Sequence, residues 1–189
     1  MNIGDSIITF DLPGTDGETY SPSTFEEKAA LAVVFTCNHC PYALAWEPRL
    51  LDIQRDYADK GVQLIGISAN DADKYPADSF DNMKAHAQDN EWNFPYLYDE
   101  SQEIANAFGA KRTPEVFLFD KDGTLQYQGT IDDNYEDPES VQNTYFRDAI
   151  DAVLAGEHRV SRPWHGQVGQ RPAQALAVVV EEGGGVDET

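Results

Sequence analysis

The chain has 189 residues, enough for one domain with a sizeable core, and its 41% hydrophobic and 11% aromatic content excludes a chain disordered throughout. Asp and Glu total 34 against 13 Lys and Arg, a formal charge of -21. That balance argues against nucleic acid and against an anionic membrane surface, both of which reward Lys and Arg. With only Cys37 and Cys40, a disulfide-stapled secreted scaffold is excluded.

The acidic residues run along the whole chain and only six residues are lysine, a composition that suits a salty, halophilic cytoplasm. Charge of one sign destabilises a compact state in dilute buffer, and at about 1 M salt a Debye length of roughly 3 Å screens most of it. The start lacks a positive segment followed by an apolar run, and the longest apolar stretches, 31–35 and 175–180, are too short to span a bilayer. The expectation is a cytoplasmic protein.

The elements follow in order. Gly14-Thr15-Asp16-Gly17 is a turn between two short extended pieces, predicting an N-terminal β-hairpin. Ser23-Thr24-Phe25-Glu26 fits a capping box for a short helix. The apolar run 31–36 predicts a strand buried on both faces. Trp46, Leu50, Ile53 and Tyr57 line one side of the next helix, which Gly61 stops. Residues 62–69 are another buried strand, 70–76 a polar loop, and Asp78 a cap for a helix bearing Phe80, Met83 and Ala87. A short strand at 96–98 and a helix over 102–108 precede two strands, 116–119 and 125–129, joined by the hairpin turn Asp120-Lys121-Asp122-Gly123. A last amphipathic helix spans 138–155, with Val141, Tyr145, Ile150 and Val153 on one side. The β-α-β alternation predicts an α/β domain over residues 1–160, a central sheet with helices on both faces. From Arg162 onward Pro and Gly break the pattern, so 161–189 reads as an irregular, flexible tail in which 175–180 could add an edge strand.

The chemistry concentrates at Cys37-Asn38-His39-Cys40, where a buried strand ends and a helix begins. Backbone N–H groups and the helix dipole stabilise an anion there, and a thiolate is an anion. Two intervening residues bring both sulfurs within disulfide range. The first cysteine is expected to be the exposed nucleophile, its pKa lowered by the helix and by a protonated His39, and the second the resolving thiol. A metal site is the competing reading. Zinc wants four ligands, and the possible partners His86, His158 and His165 have no compact spacing. Glu47 on the first helix is a candidate proton relay, though an exposed glutamate is the commoner case. Arg112-Thr113-Pro114-Glu115 precedes a strand. X-Pro bonds can be cis, and a cis Pro114 would hold the Thr113 backbone for an extended substrate to pair with.

Cys37-Asn38-His39-Cys40-Pro41-Tyr42, Asn70-Asp71, the run Phe94 to Asp99 and the run Arg112 to Asp120 together resemble the thioredoxin-like redoxin group, that is, the alkyl hydroperoxide reductase/thiol-specific antioxidant (peroxiredoxin-like) proteins. The resemblance covers about residues 3–159. It implies a thioredoxin-like fold, a central mixed sheet flanked by helices with the N-terminal hairpin added. It further implies Cys37 as attacking thiol, Cys40 as resolving thiol and Pro114 as a cis proline facing them. A peroxiredoxin site resembles Pro-x-x-x-Thr/Ser-x-x-Cys, whereas Val34 stands three residues before Cys37. The buried carboxylate that thioredoxins carry on the strand before the motif is missing, because 31–35 are all apolar.

The sequence therefore leads to a thiol–disulfide oxidoreductase. Cys37, His39, Cys40 and Pro114 are its expected catalytic set, and Asn38 and Thr113 its substrate contacts. It needs no cofactor and no metal. Its partners are protein or small-molecule disulfides and dithiols and an external thiol reductant, without nucleic acid or membrane. The alternatives are a thiol-dependent peroxidase and a copper- or zinc-binding carrier.

Overall fold

The computed structural model describes residues 1–157, and the segment read as a tail, with its possible edge strand, lies outside them. Strands β1 (Leu12–Pro13) and β2 (Thr19–Tyr20) pair antiparallel as the N-terminal hairpin. The short helix that follows is a 3-10 turn, Pro22–Phe25, starting two residues earlier than the Ser23 box suggests because Ser21 N–H reaches Thr24 Oγ1 at 3.1 Å. Strand β3 (Ala30–Phe35) is buried at every position, as a continuous apolar run requires. Helix α1 (Pro41–Tyr57) leads through a 3-10 turn to Gly61, whose φ of 82° needs glycine, and then to β4 (Val62–Ser68). After α2 (Phe80–Asp89) come β5 (Tyr96–Tyr98), α3 (Glu103–Phe108), β6 (Glu115–Asp120), β7 (Leu125–Gly129) and α4 (Tyr145–Leu154).

The five-stranded sheet has the order β5-β4-β3-β6-β7. β3, β4 and β5 run parallel, while β6 is antiparallel to both β3 and β7, so the sheet is mixed. Alternation along β3 builds two cores. Ala30, Ala32 and Val34 face Leu50 and Ile53 of α1 and Phe146 and Ile150 of α4. Leu31, Val33 and Phe35 face Phe10, Leu12 and the α3 residues Ala105 and Phe108. Each face is thus closed by helix, and the architecture is the thioredoxin-like one. Helix α4 is shorter than the expected 138–155. Residues 138–140 form a separate 3-10 turn, and Asp133 captures Gln142 N–H at 3.0 Å and Asn143 Nδ2 at 2.6 Å, which holds that stretch out of the helix. Among the described residues no helix is long and apolar enough to cross a membrane.

A Cβ on Gly66 of β4 would stand 2.8 Å from Trp92 Cζ3, and that ring is fixed by stacking on Tyr96 at 4.2 Å. Gly66→Ala is expected to cost roughly 1–3 kcal/mol in chemical denaturation, and an unchanged midpoint refutes the contact. Raising KCl to about 1 M is expected to raise the thermal midpoint by screening the net charge, and a flat or falling midpoint contradicts that account.

Candidate active site

The sheet register builds the site. β3 and β6 pair Phe35 with Glu115, and the same register two residues further sets Cys37 opposite Thr113. Cys37 Sγ lies 3.4 Å from Thr113 Oγ1, and Cys40 Sγ donates to Thr113 O at 3.4 Å. The Thr113–Pro114 peptide is cis, and both cysteines are reduced. The structure therefore brings Cys37, Cys40, Thr113 and Pro114 together although 73 or more residues separate the thiols from Thr113. Cys37, expected to be the exposed thiol, is only 2% exposed and Cys40 is 0% exposed.

The loop between β4 and α2 folds against the motif. Asp78, 0% exposed, does not cap α2. Ser79 does, accepting Asn82 N–H on its side chain. The Asp78 carboxylate instead accepts Asn38 N–H at 2.7 Å, Asn70 Nδ2 at 2.8 Å and the His39 Nδ1 hydrogen. Tyr75 stacks on the His39 ring, centroids 4.5 Å apart, and His39 Nε2 is buried without a hydrogen-bond partner. Asn38 is committed to holding this arrangement: its Nδ2 donates to Ala77 O at 2.8 Å and its Oδ1 accepts from Tyr96 OH at 3.0 Å. Burial pushes the Tyr96 phenol well up, which keeps that hydrogen in place. A buried carboxylate thus stands beside the motif although β3 carries none: Asp78, from another element. Its signal in the sequence is the adjacent Ser79, an equally good cap that leaves Asp78 free for other work.

The two thiols are not alike. Sharing a hydrogen bond with Cys40 is the largest influence pushing the Cys37 thiol up, followed by burial, and the Asp78 charge adds to it. Cys40 is lowered to about 5, first by the Cys37 hydrogen bond and, against burial, by the Ala43 and Tyr42 backbone N–H groups. This reverses the expectation of a lowered Cys37. Cys40 is the residue at the N-cap of α1 and faces its first-turn amides, whereas Cys37 faces a carboxylate. The two sulfurs share one hydrogen bond, and that sharing moves their pKa values apart, Cys37 upward and Cys40 downward.

Cys37, His39 and Asp78 offer donor atoms all within 4.8 Å of one another, a group that could hold a metal ion. His86 is engaged elsewhere, with its Nε2 2.6 Å from Glu47 Oε2. His158 and His165 lie outside the described residues. Glu47 is buried in that pair, not exposed. A cavity of about 440 Å³ lined by Asp71, Asp73, Lys74, Tyr98, Glu100 and Gln102 includes neither cysteine.

The fold and the paired thiols beside a cis proline define a thioredoxin-like protein with a Cys-x-x-Cys motif. The chain belongs to the AhpC/TSA family, whose model matches residues 3–128. It is 27% identical over 125 residues to peroxiredoxin Q, chloroplastic, of Triticum aestivum, covering 62% of this chain and 54% of that one. It is 25% identical over 127 residues to the thiol-disulfide oxidoreductase ResA of Bacillus thuringiensis subsp. konkukian, covering 66% of this chain and 68% of that one. The match to the wheat protein thus spans about half of that protein's length. An uncharacterized conserved protein from Geobacillus kaustophilus superimposes with a TM-score of 0.80 at 36% identity, covering 86% of each chain.

The unequal thiols give a direct check. The reduced protein is expected to show ultraviolet thiolate absorbance at neutral pH that disappears as pH falls through about 5. Cys40→Ser should abolish it near neutrality. Absorbance that survives in Cys40→Ser and is lost in Cys37→Ser would assign the thiolate to Cys37.

Proposed function

We propose that this chain is a thiol–disulfide oxidoreductase, a reading carried by two reduced thiols meeting at Thr113 with the His39–Asp78 pair beside the one that keeps its proton. Attack needs that proton removed. Asp78 accepts the Nδ1 hydrogen of His39 and orients the ring near Cys37, and a histidine held in this way serves as general base once the ring closes to hydrogen-bond reach of Cys37 Sγ. The Cys37 thiolate attacks one sulfur of a substrate disulfide, breaking the S–S bond; the other sulfur leaves as a thiolate and takes up a proton. Cys40, the thiol whose pKa is lowered, then loses its proton to solvent and attacks Cys37 Sγ as a thiolate. The substrate's second thiol departs, and two electrons have passed to the substrate as Cys37–Cys40 closes. Regeneration falls to an external thiol reductant, since this chain has no third cysteine. The setting proposed is the cytoplasm, with no cofactor.

A second reading, a thiol peroxidase, is favoured by the Thr113 hydroxyl 3.4 Å from Cys37 Sγ, which supplies the polar contact that Val34 cannot. There Cys37 thiolate takes one oxygen from a hydroperoxide to give sulfenic acid and an alcohol, and Cys40 displaces hydroxide to form the disulfide.

One experiment separates them. Cys40→Ser is expected to accumulate mixed disulfides with cell proteins, and wild type is expected to turn over disulfides far faster than peroxide. Fast peroxide consumption without captured partners overturns the proposal. His39→Gln should slow thiol–disulfide exchange by roughly 100-fold, and an unchanged rate removes His39 from the mechanism.

A further inference from the structure

Cys37 and His39 come from the turn before α1 and Asp78 from the segment before α2, 39 residues beyond His39, yet their donor atoms converge within 4.8 Å. The set mixes sulfur, nitrogen and oxygen. Mg²⁺ and Ca²⁺ take oxygen ligands, whereas Zn²⁺ accepts all three types, at about 2.0–2.3 Å. Tetrahedral ligands at those lengths stand roughly 3.3–3.8 Å apart, so the three donors close on an ion with shifts on the order of 1 Å.

Two further observations point to a ligand. His39 Nε2 is buried and makes no hydrogen bond, so the ring beside Cys37 and Asp78 carries an unmet polar atom. Asp78 is buried with its carboxylate oriented by Asn38 N–H and Asn70 Nδ2, the kind of support that fixes a ligating group. Charge also balances: one thiolate and one carboxylate neutralise a divalent cation, so the filled set of three ligands and ion is neutral.

We propose that the reduced protein binds one Zn²⁺ through Cys37 Sγ, a ring nitrogen of His39 and a carboxylate oxygen of Asp78, with water in the fourth position. Binding releases the Cys37 thiol proton to solvent and transfers no electrons. Cys40, bonded to Thr113 O at the helix start, is not one of the three donors. The ion masks the attacking sulfur, a consequence that rests on the oxidoreductase reading. The disulfide form, lacking the thiolate, does not bind.

The test is a Zn²⁺ competition titration against a chromogenic chelator, on the full chain kept reduced with a phosphine. One equivalent is expected for wild type and none for Cys37→Ser or the oxidised protein. His39→Gln and Asp78→Asn should each weaken binding about tenfold or more, and Cys40→Ser should change it little. Circular dichroism melts establish that each variant is folded, and His39→Gln, at a partly exposed ring, carries the test if Asp78→Asn unfolds. Absence of binding overturns the proposal. So does binding lost in Cys40→Ser but untouched in His39→Gln, which is a plain dithiol clamp. Disulfide exchange measured with chelator present is independent of the metal: if it is absent while zinc binds as described, the oxidoreductase reading fails and the site stands.

Discussion

A carboxylate removed from water costs several kcal/mol unless donors replace its hydration. Asp78 meets that condition with three donors, from Asn38, His39 and Asn70. The dependence runs both ways. Asn38 N–H and the His39 ring belong to the Cys-x-x-Cys turn, and Asn70 follows β4, so satisfying one buried charge fixes the conformation of the redox turn against the β4–α2 loop. Tyr96 continues the lock. Its hydroxyl holds Asn38 Oδ1, and its ring is held by Trp92, which in turn requires the bare backbone at Gly66.

The sheet supplies the other half of the site without further specification. Antiparallel pairing of β3 with β6 sets the cysteine turn beside Thr113, because register is rigid once both faces of β3 are buried. The site thus combines a part fixed by the sheet, the two thiols against Thr113, with a part fixed by one buried charge, the His39 ring beside Cys37.

What the sequence discloses follows the range of the forces involved. The β3 run, the α1 spacing, the hairpin at 120–123 and the Cys-x-x-Cys at a strand–helix junction are local patterns, and all are in place in the fold. The cis bond before Pro114 was legible as a type of event at a strand entrance. Asp78 was misread because its nearest neighbours suggest a helix cap, while its actual donors Asn38 and His39 are some 40 residues away. The Glu47–His86 pair escaped for the same reason, being a contact between α1 and α2 that neither helix announces alone. The start of α4 was overrun because Asp133 competes for amides that periodicity assigns to the helix.

The division of labour between the thiols is the least legible of these features, and it follows from geometry finer than the motif. Both cysteines stand at a helix start, yet only Cys40 has its sulfur over the first-turn amides, while Cys37 looks toward Asp78. A helix dipole favours an anion only within its first turn, and a neighbouring carboxylate disfavours one at contact distance. The same carboxylate whose charge adds to the raised Cys37 pKa, after the Cys40 hydrogen bond and burial, also accepts the Nδ1 hydrogen of His39. Asp78 thereby ties the environment of Cys37 to the orientation of the His39 ring.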